Sequence, residues 1–144
     1  GPGFILDAIQ DPGNLGTILR TADWFNLKGI VLGPGTVEVW NPKVLRASMG
    51  SIFRVPLYWL SEWTDLEELN RHRVWAADMH GVSLDKAALQ KEDWIIMGNE
   101  ANGIQTILRD AEKVQKLTIP AIGGAESLNV GVAAGILAWK LHKA

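Results

Sequence analysis

"ESLNVGVAAGILAWKL", Glu126–Leu141, opens on polar residues and turns almost wholly apolar and small. Ser127 is a suitable helix N-cap, and Asn129 would follow in the first turn, where four main-chain N–H groups lack helical partners. Val130, Ala134, Leu137 and Leu141 share one face, while Val132, Ala133 and Ile136 occupy others. A helix apolar on several faces is expected to be buried nearly all round. Gly131, Ala133, Ala134 and Gly135 allow close backbone approach, so this helix should be wedged between chain segments or against another subunit.

Working back from it, short β-rich runs recur at Phe4–Ile9, Gly29–Leu32, Ile52–Leu57, Val74–Ala77, Trp94–Met97 and Lys116–Ile119. Helix-patterned stretches lie between them: Leu15, Ile18, Leu19, Ala22 and Phe25 at helical spacing, Glu62–Asn70 with Leu66 and Leu69 inward, and Gln105–Lys113. This alternation predicts an α/β fold, a mostly parallel sheet with helices on both faces. Ligands of such sheets sit at the carboxyl ends of the strands. Glycine or turn residues follow the first, second and fifth strands ("QDPGNLG", "LGPGT", "GNEANG"), and "PAIGGAESLN" follows the sixth. Neither the dinucleotide fingerprint nor the phosphate-binding P-loop is among them.

The 144 residues, 47% hydrophobic and 21% charged, suit one globular domain over 1–144. Apolar runs fall short of the roughly 18 residues that span a bilayer, and no signal peptide opens the chain, so a cytoplasmic protein without a membrane partner is expected. There is no cysteine, and His72, His80 and His142 lack ligand spacing, so no metal is expected. A net charge of −2 excludes broad electrostatic grip on nucleic acid and confines any such contact to local patches. Gly1-Pro2 reads as the scar of a cleaved tag.

In "DPGNLGTILRTADWF" the Asp-Pro-Gly turn delivers Asn14 to the expected N-cap. Arg20 falls off the apolar stripe, beside Gly16, Thr17 and Trp24, where it would either reach a ligand or pair with Asp23. In "WIIMGNEANGI" the strand runs into a loop with Glu100 among glycines, either a solvated turn or a main-chain pocket carrying one charge.

Together, "DPGNLGTILRTADWF", "NPKVLRASMGSIFRVP", "IIMGNEANGI" and "LTIPAIGGAESLNVGVAAGILAWKL" resemble the successive motifs of the SpoU/TrmH family of RNA 2′-O-methyltransferases, and the match covers nearly the whole chain. The resemblance implies the SPOUT α/β fold with a C-terminal deep trefoil knot, a homodimer, and S-adenosylmethionine as cofactor. It implies a polar functional set on Asn14, Arg20, Glu100, Ser127 and Asn129. It places cofactor contacts on Gly98, Asn99, Glu100, Ile119 and Leu128, with Leu32 and Gly33 nearby. Arg20 would clamp RNA phosphate and ribose, and Glu100 would hold Arg20 or the loop. The implied activity is methylation of a ribose 2′-hydroxyl in tRNA or rRNA; the alternative is a catalytically idle RNA-binding or assembly module keeping the knotted dimer. Family members commonly carry an N-terminal RNA-binding region, which this chain is expected to lack. Ala101 departs from the family's frequent glycine, and a positive φ there would cost about 1–2 kcal/mol.

Overall fold

The computed structural model describes residues 1–63 and 70–144. Six parallel strands, β1 (Gly3–Asp7), β2 (Gly29–Leu32), β3 (Leu57–Trp59), β4 (Val74–Ser83), β5 (Trp94–Gly98) and β6 (Val114–Thr118), form one sheet in the order β3-β2-β1-β5-β4-β6. Alternation along β1 sends Phe4 and Leu6 to one face and Ile5 to the other. The first face packs under α1 (Pro12–Trp24), α2 (Pro42–Ser48) and α4 (Val130–Lys143) through Leu15, Ile18, Val44, Leu137 and Leu141. The second is covered by Trp63, Ile104 and Leu108, the last from the single-turn helix α3 (Thr106–Arg109). Both faces are covered, as continuous apolar strands require.

The chain builds β2 and β3 on one side of β1 and the later strands on the other. The crevice between β1 and β5 is therefore the point where the winding reverses, the usual ligand position in open parallel sheets. The segment 119–129 leaves β6 and ends where α4 meets α1. It thus crosses the carboxyl ends of β4 and β5, a span of about 14 Å at ordinary strand spacing.

Several boundaries differ from the sequence reading. Residues 52–57 do not form a strand: Ser51–Phe53 is a 3-10 turn, and β3 begins at Leu57. Ser51 donates its hydroxyl to Asp23 on α1, and Arg54 pairs with the same carboxylate, so the segment is tied to a helix instead of a neighbouring strand. The first strand stops at Asp7 because Ala8 takes φ 56°, outside the extended region. β4 runs on to Ser83 through a register shift between Ala77 and Val82, and Gly81 permits it, since a Cβ there would lie 2.4 Å from Leu117 N. The helix expected over 105–113 is reduced to Thr106–Arg109. The helix expected at Glu62–Asn70, with Leu66 and Leu69, lies largely outside the described residues.

Both N-caps also move. Pro12 suits the first helical position, which makes Asp11 the cap of α1, accepting from Asn14 N at 2.9 Å. The chain stays extended through Asn129, so Asn129 and not Ser127 caps α4, accepting from Val132 N at 3.1 Å. Nor is α4 buried all round within the chain. Gly131, Ala134, Leu137, Ala138 and Leu141 face the core, whereas Val132, Ile136 and Trp139, spaced four and three apart, are 51%, 39% and 52% exposed.

Gly16 sets the α1–α2 distance, because a Cβ there would stand 2.3 Å from Ala47 Cβ and 3.0 Å from Ser48 N. Gly16→Ala is expected to cost about 1–3 kcal/mol by overpacking, despite alanine's better helix propensity. The check is thermal unfolding, with Ala47→Gly added to recover part of the loss.

Candidate active site

Two loops meet at the carboxyl end of the β1/β5 crevice. Asn99, just past β5, donates Nδ2 to Ala8 O at 2.7 Å, while its Oδ1 accepts from Ala101 N and Asn102 N. Glu100 accepts from Gln10 N and Asp11 N, both at 3.3 Å. Asp7, fully buried at the end of β1, accepts from Gln105 N at 2.7 Å and Gln105 Nε2 at 3.0 Å. Residues 99–105 are thereby pinned across residues 7–11. Gly98 allows the pinned loop to fold back, since a Cβ would stand 2.4 Å from Gly103 C. The positive φ falls on Gly103, at 70°, and not on Ala101, so alanine at 101 carries no left-handed strain.

The C-terminal motif reaches the same corner. Asn129 Nδ2 donates to Asn14 Oδ1 at 3.1 Å, joining residues 115 positions apart, while Asn129 Oδ1 caps α4. Gly131 lets α4 start close against α1, a Cβ there falling 3.2 Å from Thr17 Cγ2. Asn14, Glu100 and Asn129 therefore belong to one connected cluster. Ser127 lies two residues before the cap on an exposed loop, and its hydroxyl has no hydrogen-bond partner among the described residues.

Arg20 stands apart. It is six residues beyond Asn14, about 9 Å along α1 and about 240° around it. It pairs neither with Asp23 nor with Glu100: Nη1 contacts Met49 Sδ at 3.2 Å, and Asp23 is taken by Ser51 and Arg54. The Arg54 guanidinium holds the Asp23 carboxyl below the usual carboxylate range, partly opposed by desolvation. Glu100 is hydrogen-bonded to the 10–11 main chain and not to Arg20. Arg20 keeps most of its donors for other partners.

Gly98 ends β5 and Asn99 and Glu100 follow it, while Ile119 follows β6, with Leu128 further along the loop after it. Leu32 and Gly33 are separated from these residues. Leu32 ends β2 and Gly33 follows it, two strands from β5 or about 10 Å, and both border a different hollow of about 160 Å³ with Thr36, Trp59 and Leu60. The end of β4 lies between β5 and β6, so the bulged segment from Ala77 to Gly81 borders the corner although the motifs did not single it out. Asp7 and Gln105 were missed too, because a carboxylate in "FILDAI" and a glutamine after "ANGI" have no local pattern. Among the described residues no His, Asp and Glu cluster could hold a metal ion, and no helix is long and apolar enough to cross a membrane.

The sequence profile described as the SpoU rRNA Methylase family matches residues 3–139. The 23S rRNA (guanosine(2553)-2′-O)-methyltransferase RlmP of Bacillus subtilis is 40% identical over 96% of this chain and 57% of its own length. A putative RNA methyltransferase of the TrmH family from Porphyromonas gingivalis superposes with a TM-score of 0.90 at 41% identity, covering 99% of this chain and 59% of that one. An AdoMet-bound rRNA methyltransferase from Sinorhizobium meliloti also gives 0.90, at 32% identity over 99% of this chain and 56% of that one. The chain spans about half the length of the curated relatives it matches. With the profile matched from the first strand into the last helix, the chain belongs to the SpoU rRNA Methylase family.

Proposed function

We propose that this chain is the catalytic domain of an S-adenosylmethionine-dependent RNA ribose 2′-O-methyltransferase. The observation that carries the reading is the Asn14–Asn129 contact beside the Glu100 tie, which gathers motifs from the two ends and the middle of the chain at the winding reversal. The residues present fit the cofactor. Among the described residues, the main-chain groups of 120–128 make no main-chain hydrogen bonds, so they are free to take the edge of an adenine. Ile122 and Leu128 stand exposed on the same loop and could cover an apolar ring. In this reading the segment is the threaded part of the knot.

When bound, the cofactor supplies a methyl group activated by a positive sulfur. The protein's task is then chiefly alignment of the ribose hydroxyl with that methyl, the kind of effect that proximity and orientation deliver. The loops around Gly98, Ile119 and Leu128 would hold the cofactor for that transfer to the ribose oxygen, and the hydroxyl proton would pass to solvent. Arg20 is read as a clamp on the RNA, since a guanidinium offers donors and no acceptor. Its exposed fork suits a bidentate grip on a phosphate, which would fix the adjoining ribose. Asn14 and Asn129 supply neutral amide groups for the nucleotide, and Glu100 keeps the cofactor-side loop in place. Ser127, on the free loop, would order on binding.

A homodimer belongs to the same reading. Val132, Ile136 and Trp139 form an apolar stripe along the outer face of α4, and such exposed stripes mark interaction surfaces. Ala134 points into the chain's own core, so the diagnostic substitution is on the outer stripe.

Arg20→Ala should lower single-turnover methylation of transcribed tRNA and rRNA pools by about 100-fold or more, with calorimetric affinity for S-adenosylmethionine nearly unchanged. Full activity in the variant would defeat the assignment. Binding of RNA with no methyl transfer by the parent chain would favour the idle-module reading. Sedimentation should show about twice the chain mass for the parent and a folded monomer for Ile136→Glu; an unchanged dimer would place the interface elsewhere.

A further inference from the structure

Resting on the methyltransferase reading, we propose that the exposed Trp40–Phe53 pair is a stacking platform for two successive unpaired bases of the RNA strand that leads to Arg20. Trp40 immediately precedes the N-cap of α2, and Phe53 closes the 3-10 turn after it. The rings are in contact, with centroids 6.3 Å apart and planes inclined at 51°. They remain 59% and 75% exposed, and neither belongs to the core. Single exposed apolar residues are ordinary, but two exposed aromatic rings in contact form a patch, and Met49, four residues before Phe53, is exposed as well. Rings inclined in this way cannot share one base, so each offers its outer face to a separate nucleotide.

Charge identifies the occupant. Residues 42–56 carry Lys43, Arg46 and Arg54 and no acid, in a chain whose net charge is −2. Arg54 is taken by Asp23, whereas Lys43 and Arg46 have no ion-pair partner among the described residues. Cations interleaved with aromatic faces are what single-stranded nucleic acid binds, because every base has a π-face and every link a phosphate. A second copy of this chain meeting the patch about a two-fold axis would set the same cations against one another.

The platform is also joined to Arg20 through the turn that follows α2. Arg20 Nη1 touches Met49 Sδ, and Met49 and Gly50, both left-handed, make the turn into the segment carrying Phe53, whose N–H donates to Gly50 O. A strand stacked on the rings would therefore arrive with a phosphate at Arg20.

The test measures binding of a short labelled single-stranded oligoadenylate, and of an RNA duplex of equal length, by fluorescence anisotropy across a salt series. Trp40→Ala and Phe53→Ala should each weaken the single strand about tenfold, the effect of one lost stack, with duplex binding and the salt slope unchanged. Trp40→Tyr should restore most of the affinity. Trp40→Leu, which keeps apolar bulk without an aromatic face, should not. Lys43→Ala should instead lower the salt slope by about 0.7. Parent-like binding by the alanine variants, full binding by Trp40→Leu, or equal losses on duplex RNA would overturn the proposal. So would a change in sedimentation without a change in RNA affinity, which would make the patch a protein interface. Calorimetry with S-adenosylmethionine on the parent keeps the readings separable: absent cofactor binding would sink the methyltransferase reading, while the anisotropy series still decides the platform.

Discussion

The hydrogen bonds between residues 7–11 and residues 99–105 hold the carboxyl edge of the sheet together. They differ in strength. Both Asp7 bonds are half-buried and end on a fully buried side chain, where bonds to a charged group are worth about 1.5–3 kcal/mol each, and losing them would leave that side chain without partners in the core. The Glu100 contacts are longer and exposed, so they steer the loop more than they anchor it. Asp7 therefore fixes where the loop after β5 ends, and Asn99 fixes where it begins. Part of this holds Ala8 in a left-handed conformation that costs about 1–2 kcal/mol for a residue with a Cβ. Strain at such a junction persists only where neighbouring contacts over-determine it.

From this junction the remaining placements follow. With the two loops locked, Asn14 is set at the third position of α1, where Asn129 can reach it, and α4 begins where Gly131 can approach Thr17. The segment after β6 must then cross the ends of β4 and β5. It brings exposed apolar side chains and unused main-chain groups over the corner. Arg20 sits about 240° around α1 from Asn14 and the aromatic pair flanks α2, so in the proposed function the sheet edge would serve a small cofactor and this helix surface a polymer.

Much of this was legible in the sequence because periodicity reports burial. β1, β2 and β5 were visible as apolar runs, α1 as an apolar stripe and α4 as a small-residue apolar segment. The failures have a common cause. In "SIFRVPL" the apolar spacing looks extended, yet Asp23, 28 residues away from Ser51 in the chain, selects a 3-10 turn. Helix starts were misplaced by two or three residues because the cap depends on which side chain the preceding backbone presents, not on residue type alone. The motifs point to Asn14, Glu100 and Asn129, which the structure brings into one cluster, but Asp7 and Gln105 make contacts across nearly the whole chain that no local pattern encodes. Leu32 ends a strand, as expected, with Gly33 just after it, yet strand order puts β1 between them and the cluster at β5.

Hydrogen–deuterium exchange of this chain with and without S-adenosylmethionine tests the central claim most directly, since it reads which carboxyl-edge loops close on the cofactor. The account predicts protection at 97–104 and 118–130, with a smaller effect at 8–14 and none at 32–38. Protection confined to 32–38, beside the hollow bordered by Thr36 and Trp59, or no protection at saturating cofactor, would contradict it.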